Sequence, residues 1–164
     1  MKQSKKLNYL HEITHDNINE LWKNVFEGNE NDEYINRYVP IPVPGKSVLE
    51  QFMINKRNYN VWLIQRKKEK DIIGFLIHGD FWPGTPNNIG LNIGLNYCGK
   101  GYGTEALESL IYYLTALGYK ETFGLCFEEN NAIRKVMEKN GFINLGRTGN
   151  TPRGFNEVKY KVLL

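Results

Sequence analysis

Ile89-Gly-Leu-Asn-Ile-Gly-Leu-Asn-Tyr-Cys-Gly-Lys-Gly-Tyr-Gly-Thr-Glu-Ala-Leu107 changes its period in the middle. Ile89, Leu91, Ile93 and Leu95 alternate with Gly90, Asn92, Gly94 and Asn96, which predicts a strand over Ile89–Asn96 with one aliphatic face and one nearly stripped of bulk. The bare face either presses against close backbone or lies along a ligand. Gly99, Gly101 and Gly103 break the alternation. From Thr104 the period is about 3.6 residues: Leu107, Leu110, Ile111, Leu114 and Leu117 form a stripe, and Gly118 suits the position just past a helix end. A strand, a glycine turn and a helix in succession make an anion site. Glycines let backbone approach closely, successive N–H groups point into the concavity, and the positive end of the helix dipole lies behind them. The alternative is a tight structural turn.

Familiar nucleotide motifs fit poorly. In G-x-G-x-x-G, Thr104 stands where the third glycine belongs. Gly94 to Lys100 satisfies G-x-x-x-x-G-K, but Gly101 follows where a Mg²⁺-binding hydroxyl is needed. Gly45-Lys46-Ser47 has Pro40 in place of the first glycine.

Outward from this stretch, Leu7–Ile13 reads as a strand. Thr14, Asp16 and Asn17 offer caps for a helix carrying Ile18, Leu21, Trp22, Val25 and Phe26 as far as Gly28. The prolines between Val39 and Gly45 enforce an extended or turning chain, and Ser47 is expected to cap a short helix through Met53. Val61–Gln65 and Ile72–Phe81 form a hairpin around the charged turn Lys67–Asp71. Lys120–Phe127 is a strand, and Asn130 or Asn131 caps a helix with Ala132, Ile133, Val136 and Met137 inward. Strands near Ile143–Arg147 and Glu157–Leu163 complete an α+β fold with a mixed, mainly antiparallel sheet.

At 164 residues, without repeats or low-complexity tracts, residues 1–164 are expected to form a single domain. Apolar residues make up 41% and charged residues 24%, a globular balance. A net charge of +3 suits an anionic small ligand and is far from the basic stripe of a nucleic-acid binder. Cys98 and Cys126 form no disulfide framework, no cluster has metal-ligand spacing, and no apolar run suffices to span a bilayer. With no secretory leader visible, the expected location is cytoplasmic.

The core Gly99-Lys-Gly-Tyr-Gly-Thr-Glu-Ala106 resembles the acetyl-CoA motif of the GNAT N-acetyltransferases, and Asn130-x-x-Ile133-x-x-Val136-x-Glu-Lys-x-Gly141-Phe142 resembles that family's second segment. Both lie in the family's order, over roughly residues 60–164, and the opening is similar to the ribosomal-protein N-acetyltransferase branch. The resemblance implies a V-shaped cleft between two splayed parallel strands, Ile89–Asn96 and Lys120–Phe127, with helices on both sheet faces. It implies acetyl-CoA as acyl donor, with cofactor contacts from Ile93, Gly94, Leu95, Cys98, Gly99, Lys100, Gly101, Tyr102, Gly103, Thr104 and Asn130. It further implies transfer to a primary amine, either a protein N-terminus or a small molecule. Neither nucleic acid nor membrane is an expected partner, and oligomeric state is left open.

The chain departs from the family where chemistry is concerned. Cys98 replaces the motif's opening Arg or Gln, Asn88 stands where the branch often has a Glu base, and Met137 occupies the usual place of a Tyr acid. His78 and Asn88 are therefore the catalytic candidates, with a strand-end structural histidine as the alternative for His78. Tyr38, Asp80 and Trp82, with Tyr34 and Phe81, are candidates for the acceptor entrance, or else rim packing. An acyl-CoA-binding module without turnover is the competing function; a phosphate-loop nucleotide binder is the third.

Overall fold

A computed structural model describes residues 4–29, 45–55, 58–81, 85–150 and 156–164. Within these, β1 (Leu7–Leu10) leads to α1 (His15–Leu21), which continues as a π-turn over Trp22–Phe26. Next come α2 (Lys46–Ile54), β2 (Tyr59–Arg66), β3 (Ile72–Gly79) and β4 (Asn88–Ile93). A 3-10 turn over Leu95–Tyr97 precedes α3 (Tyr102–Ala116), β5 (Glu121–Phe127), α4 (Asn131–Lys139), β6 (Ile143–Asn150) and β7 (Asn156–Leu163).

The strands form a 7-stranded sheet in the order β1-β2-β3-β4-β5-β7-β6. Every neighbouring pair is antiparallel except β4 and β5. Two clusters divide the core by sheet face. Ile64, Leu76, Ile89 and Ile93 pack with Leu107, Leu110 and Leu114 of α3 and Met137 of α4. On the other face Leu63, Phe75 and Ile77 pack with Ile18 and Leu21 of α1 and Leu49 and Met53 of α2. Each fully buried aliphatic side chain contributes roughly 1.5–3 kcal/mol of transfer free energy. The mixed sheet with helices on both faces is therefore as expected.

Several boundaries differ. β1 stops at Leu10, and β3 at Gly79 rather than Phe81. α2 starts at Lys46 behind Gly45 with no side-chain cap, so Ser47 lies inside its first turn instead of capping it. β4 ends at Ile93 because Tyr97 N–H reaches back 2.8 Å to the Gly94 carbonyl and closes the 3-10 turn. Leu95 thereby leaves the strand and packs in the cluster opposite the one Ile93 joins. Just past the end of α3, Leu117 is 57% exposed and does not extend the buried stripe. Ala132 is likewise exposed.

Candidate active site

β4 and β5 share only two register pairs, Asn88 with Phe123 and Ile89 with Gly124. Beyond these the two strands part, so a V-shaped gap opens toward their C-terminal ends. β4 alternates its backbone groups between its two edges. Gly94 N–H bonds the Ile73 carbonyl of β3 at 2.9 Å, so Leu91 and Ile93 turn their N–H and C=O groups the other way, into the gap. The expected pairing position at Leu95 is instead inside the 3-10 turn, where its carbonyl accepts Cys98 N–H at 3.2 Å.

The apex of the V is fastened by Asn87, which adopts φ +57. Its carbonyl accepts Phe123 N–H at 3.1 Å and the Thr122 hydroxyl at 2.7 Å. Its side-chain amide donates to the Glu121 carbonyl, while its Oδ1 accepts His78 Nε2–H at 2.6 Å. The His78 ring meets Tyr119 edge-on at 5.0 Å. Burial holds the imidazole below its ordinary range, with the Asn87 hydrogen bond opposing. His78 pairs in register with Ile89, so it faces the α3 side at the closed end of the V. The structure does not bring it to the gap.

At the open end, the chain enters the glycine turn through a polar clamp. Arg66 grips Asp71 with two 2.7 Å hydrogen bonds and stacks its guanidinium 5.2 Å from the Tyr97 ring centre. The Tyr97 hydroxyl reaches Asp71 at 3.3 Å. That pairing with Arg66 lowers the Asp71 carboxyl below its ordinary value. Next, Cys98 through Gly101 are exposed. The Cys98 thiol lies 3.5 Å from the Gly94 carbonyl, and Lys100 Nζ donates to the Asn96 carbonyl at 2.9 Å. Gly99 (φ +74) and Gly101 (φ +82) are left-handed, and a Cβ on either would meet no described residue within 4 Å. Gly101 is the N-cap of α3, and among the described residues no side chain caps that end. The first N–H groups of α3, from Tyr102, Gly103 and Thr104, therefore face an open concavity. That cradle fits a phosphate group. Gly103 differs from the other two: its Cβ would pack 3.5 Å from Leu91 Cδ2, so it seats α3 against β4.

Glu105 in the first turn of α3 accepts Lys6 N–H at 2.9 Å and the Ser4 hydroxyl, tying the segment that leads into β1 to this helix. Across the gap Asn130 is 7% exposed, and its Oδ1 caps α4 by accepting Ile133 N–H at 3.3 Å. Met137 is buried, its Sδ so close over Gly124 that a Cβ there would sit 2.6 Å away. Asn88 is 3% exposed and lies on the face of α1 and α2 beside the apex. Asn92, four residues on, is 5% exposed on the same face; sequence reasoning saw it only as part of a bare surface. A polar residue at an inward position of a central strand was the available signal. Asp80 is exposed beyond β3, its N–H bonded to the Asn58 carbonyl at 2.9 Å. Tyr34, Tyr38 and Trp82 lie outside the described residues.

Among the described residues no group of three or more His, Cys, Asp or Glu side chains could hold a metal ion, and no helix is long and apolar enough to cross a membrane. No curated protein matches the sequence. Among solved structures, an acetyltransferase (GNAT family) from Bacillus anthracis superposes with TM-score 0.77 at 20% identity, covering 98% of this chain and 96% of that one. Microcin C7 self-immunity acetyltransferase MccE, in complex with acetyl-CoA and AMP, gives 0.78 at 20% identity over 100% and 96%. RimL, a ribosomal α-N-protein acetyltransferase in complex with coenzyme A, gives 0.77 at 15% over 98% and 96%. At these identities the likeness is one of fold. The model of the acetyltransferase (GNAT) domain, however, matches residues 9–143 and so takes in the strand, the glycine turn and both walls of the V. On that match the chain belongs to the GNAT acetyltransferase family.

Proposed function

We propose that the protein transfers an acetyl group from acetyl-CoA to a primary amine. The observation that carries this reading is the uncapped start of α3, with left-handed Gly99 and Gly101 opening onto empty space at the mouth of the V. Backbone N–H groups from Gly99 to Thr104 would hold the diphosphate. The outward edges of Leu91 and Ile93 would pair with the amides of the pantetheine arm, and Asn130 would line the facing wall. Acetyl-CoA supplies an acyl group already activated as a thioester. The amine nitrogen forms the new C–N bond as the C–S bond breaks, the sulfur leaves with the electron pair, and the nitrogen gives up a proton.

The chain's part in this is orientation and exclusion of water. His78 is bonded to Asn87 at the apex, on the α3 face at the closed end of the V, and Asn88 is neutral. Proton loss therefore runs to solvent, and the reacting amine must already be uncharged. The transfer rate should rise with pH up to the pKa of the amine itself, without an enzyme inflection near 6 to 7. Thermal melts with acetyl-CoA, CoA and ATP, followed by CoA release across an amine panel, test the reading. Stabilisation by both CoA species but not ATP, together with release that depends on amine, is expected. Absence of a CoA shift removes the donor assignment. A shift without transfer to any amine makes the domain an acyl-CoA-binding module.

A further inference from the structure

The face of β4 turned away from α3 carries a feature that donor binding does not use. Asn88 and Asn92 are 3% and 5% exposed, and the Oδ1 atom of each is buried with no hydrogen-bond partner among the described residues. Buried amide oxygens are nearly always paired, because an unpaired one keeps its desolvation cost with no return. Two on one strand therefore call for an occupant. They stand four residues apart, about 13 Å at roughly 3.3 Å per residue, with Gly90 between them on the same face.

The sheet register shows what surrounds them. Asn88 is flanked by Gly79 on β3 and Phe123 on β5, Gly90 by Ile77, and Asn92 by Phe75. None of these neighbours carries a charge. Both oxygens are neutral acceptors, flanked across the sheet by uncharged residues, on the strand that borders the gap. A neutral acceptor buried there is satisfied by a neutral donor. A second ammonium group would be left without a counter-charge, which is costly away from water.

From this geometry we infer that Asn88 and Asn92 form a recognition ledge for the amine acceptor. It selects molecules that bring uncharged N–H donors, such as peptide amides, and disfavours polyamines whose second nitrogen is charged. The inference rests on the amine-acceptor reading given above, and it deepens that reading. Asn88 would accept an N–H of the uncharged amine, and Asn92 a donor further along the molecule. A carboxylate at either place would hold the amine as an unreactive ammonium.

The test uses the full chain saturated with CoA and two probes, a tripeptide amide with a free N-terminus and the linear triamine spermidine. Equilibrium binding is measured by calorimetry, and CoA release from acetyl-CoA is measured separately. The unsubstituted protein should bind the tripeptide at least about tenfold more tightly than the triamine. Asn92→Leu should erase that preference while raising the Tm of the ligand-free protein by about 2–4 °C, since an unpaired buried carbonyl is gone. Asn92→Asp should invert the preference toward the triamine and serves if the leucine variant folds poorly. A triamine preference in the unsubstituted protein overturns the ledge. So does absence of tripeptide binding, or a lowered Tm in Asn92→Leu, which would mean that the carbonyl is structural. Tripeptide binding that responds to Asn92 without any transfer would leave the ledge standing and remove the transferase reading instead.

Discussion

Replacing Gly101 separates backbone conformation from space in the glycine turn. At φ +82 an L-residue suffers the left-handed clash of its own Cβ, about 1–2 kcal/mol. No described neighbour adds to that, because none lies within 4 Å of the position a Cβ would take. For a domain of this size about 1 kcal/mol moves Tm by roughly 2–4 °C. Gly101→Ala should therefore lower the Tm of the free protein by roughly 2–8 °C. Gly101→Asn should lower it less, since asparagine tolerates the left-handed region, and Gly101→Val more, since branching at Cβ makes that region a true outlier. The ligand-bound series should diverge further. CoA at about 100 times its dissociation constant adds about 2.7 kcal/mol, or roughly 5–11 °C. The same empty space is where a phosphate would approach, so the valine methyls should abolish that increment while alanine retains part of it. Differential scanning fluorimetry of the four proteins, with and without CoA, reads both effects. A folded Gly101→Val with the full CoA increment would refute the placement of the diphosphate. A free-protein ranking other than Gly, Asn, Ala, Val would refute the strain argument.

Gly74→Ala should be worse tolerated than Gly124→Ala, because its Cβ would run into the Asn92 backbone carbonyl whereas the Gly124 Cβ meets the Sδ of the unbranched, adaptable Met137 side chain at 2.6 Å. Overpacking of about 1–3 kcal/mol is expected for the former, read as urea midpoints, and equal midpoints would contradict it. His78 is held below 6.5 by burial, so on acidification the unfolded chain takes up its proton first. Stability from this group is present above about 6.5 and lost as pH falls below it; His78→Gln should flatten that stretch of the stability curve, and an unchanged slope would argue against it. Burial pushes the Cys126 thiol up to about 12, while Cys98 is exposed. At pH 8 iodoacetamide should label Cys98 well before Cys126, with CoA slowing the former, as followed by peptide mass mapping. Equal labelling would remove Cys98 from the turn.

What the sequence could show was set by local periodicity. The switch from period 2 to 3.6 at Gly99–Thr104 marks strand, turn and helix, because Leu107, Leu110 and Leu114 must share a face. The same logic overshot at Leu95. An apolar residue at the next alternate position looks like more strand, yet the 3-10 turn swings it to the opposite cluster. Ser47 has a capping residue's chemistry but sits two places past Gly45, the residue that occupies the cap of the helix starting at Lys46. The site was half legible: the glycine turn declares itself, whereas the faces of His78 and Asn92 depend on register with partners on neighbouring strands. Asparagine at 87 permits the left-handed backbone found there, but nothing local to it announces its grip on both β3 and β5.

That grip has a mechanical consequence. Asn87 works as a rivet through a pair of shears: it fixes the pivot by bonds to His78, Glu121, Thr122 and Phe123, and leaves the blades free to spread. Any widening that admits a ligand must then be taken up by bending of β4 and β5 beyond Ile89 and Gly124, with the stiffness of each blade growing toward the pivot. Amide protons there should exchange with deuterium in a graded series, slowest at Phe123 and quickest toward the free ends.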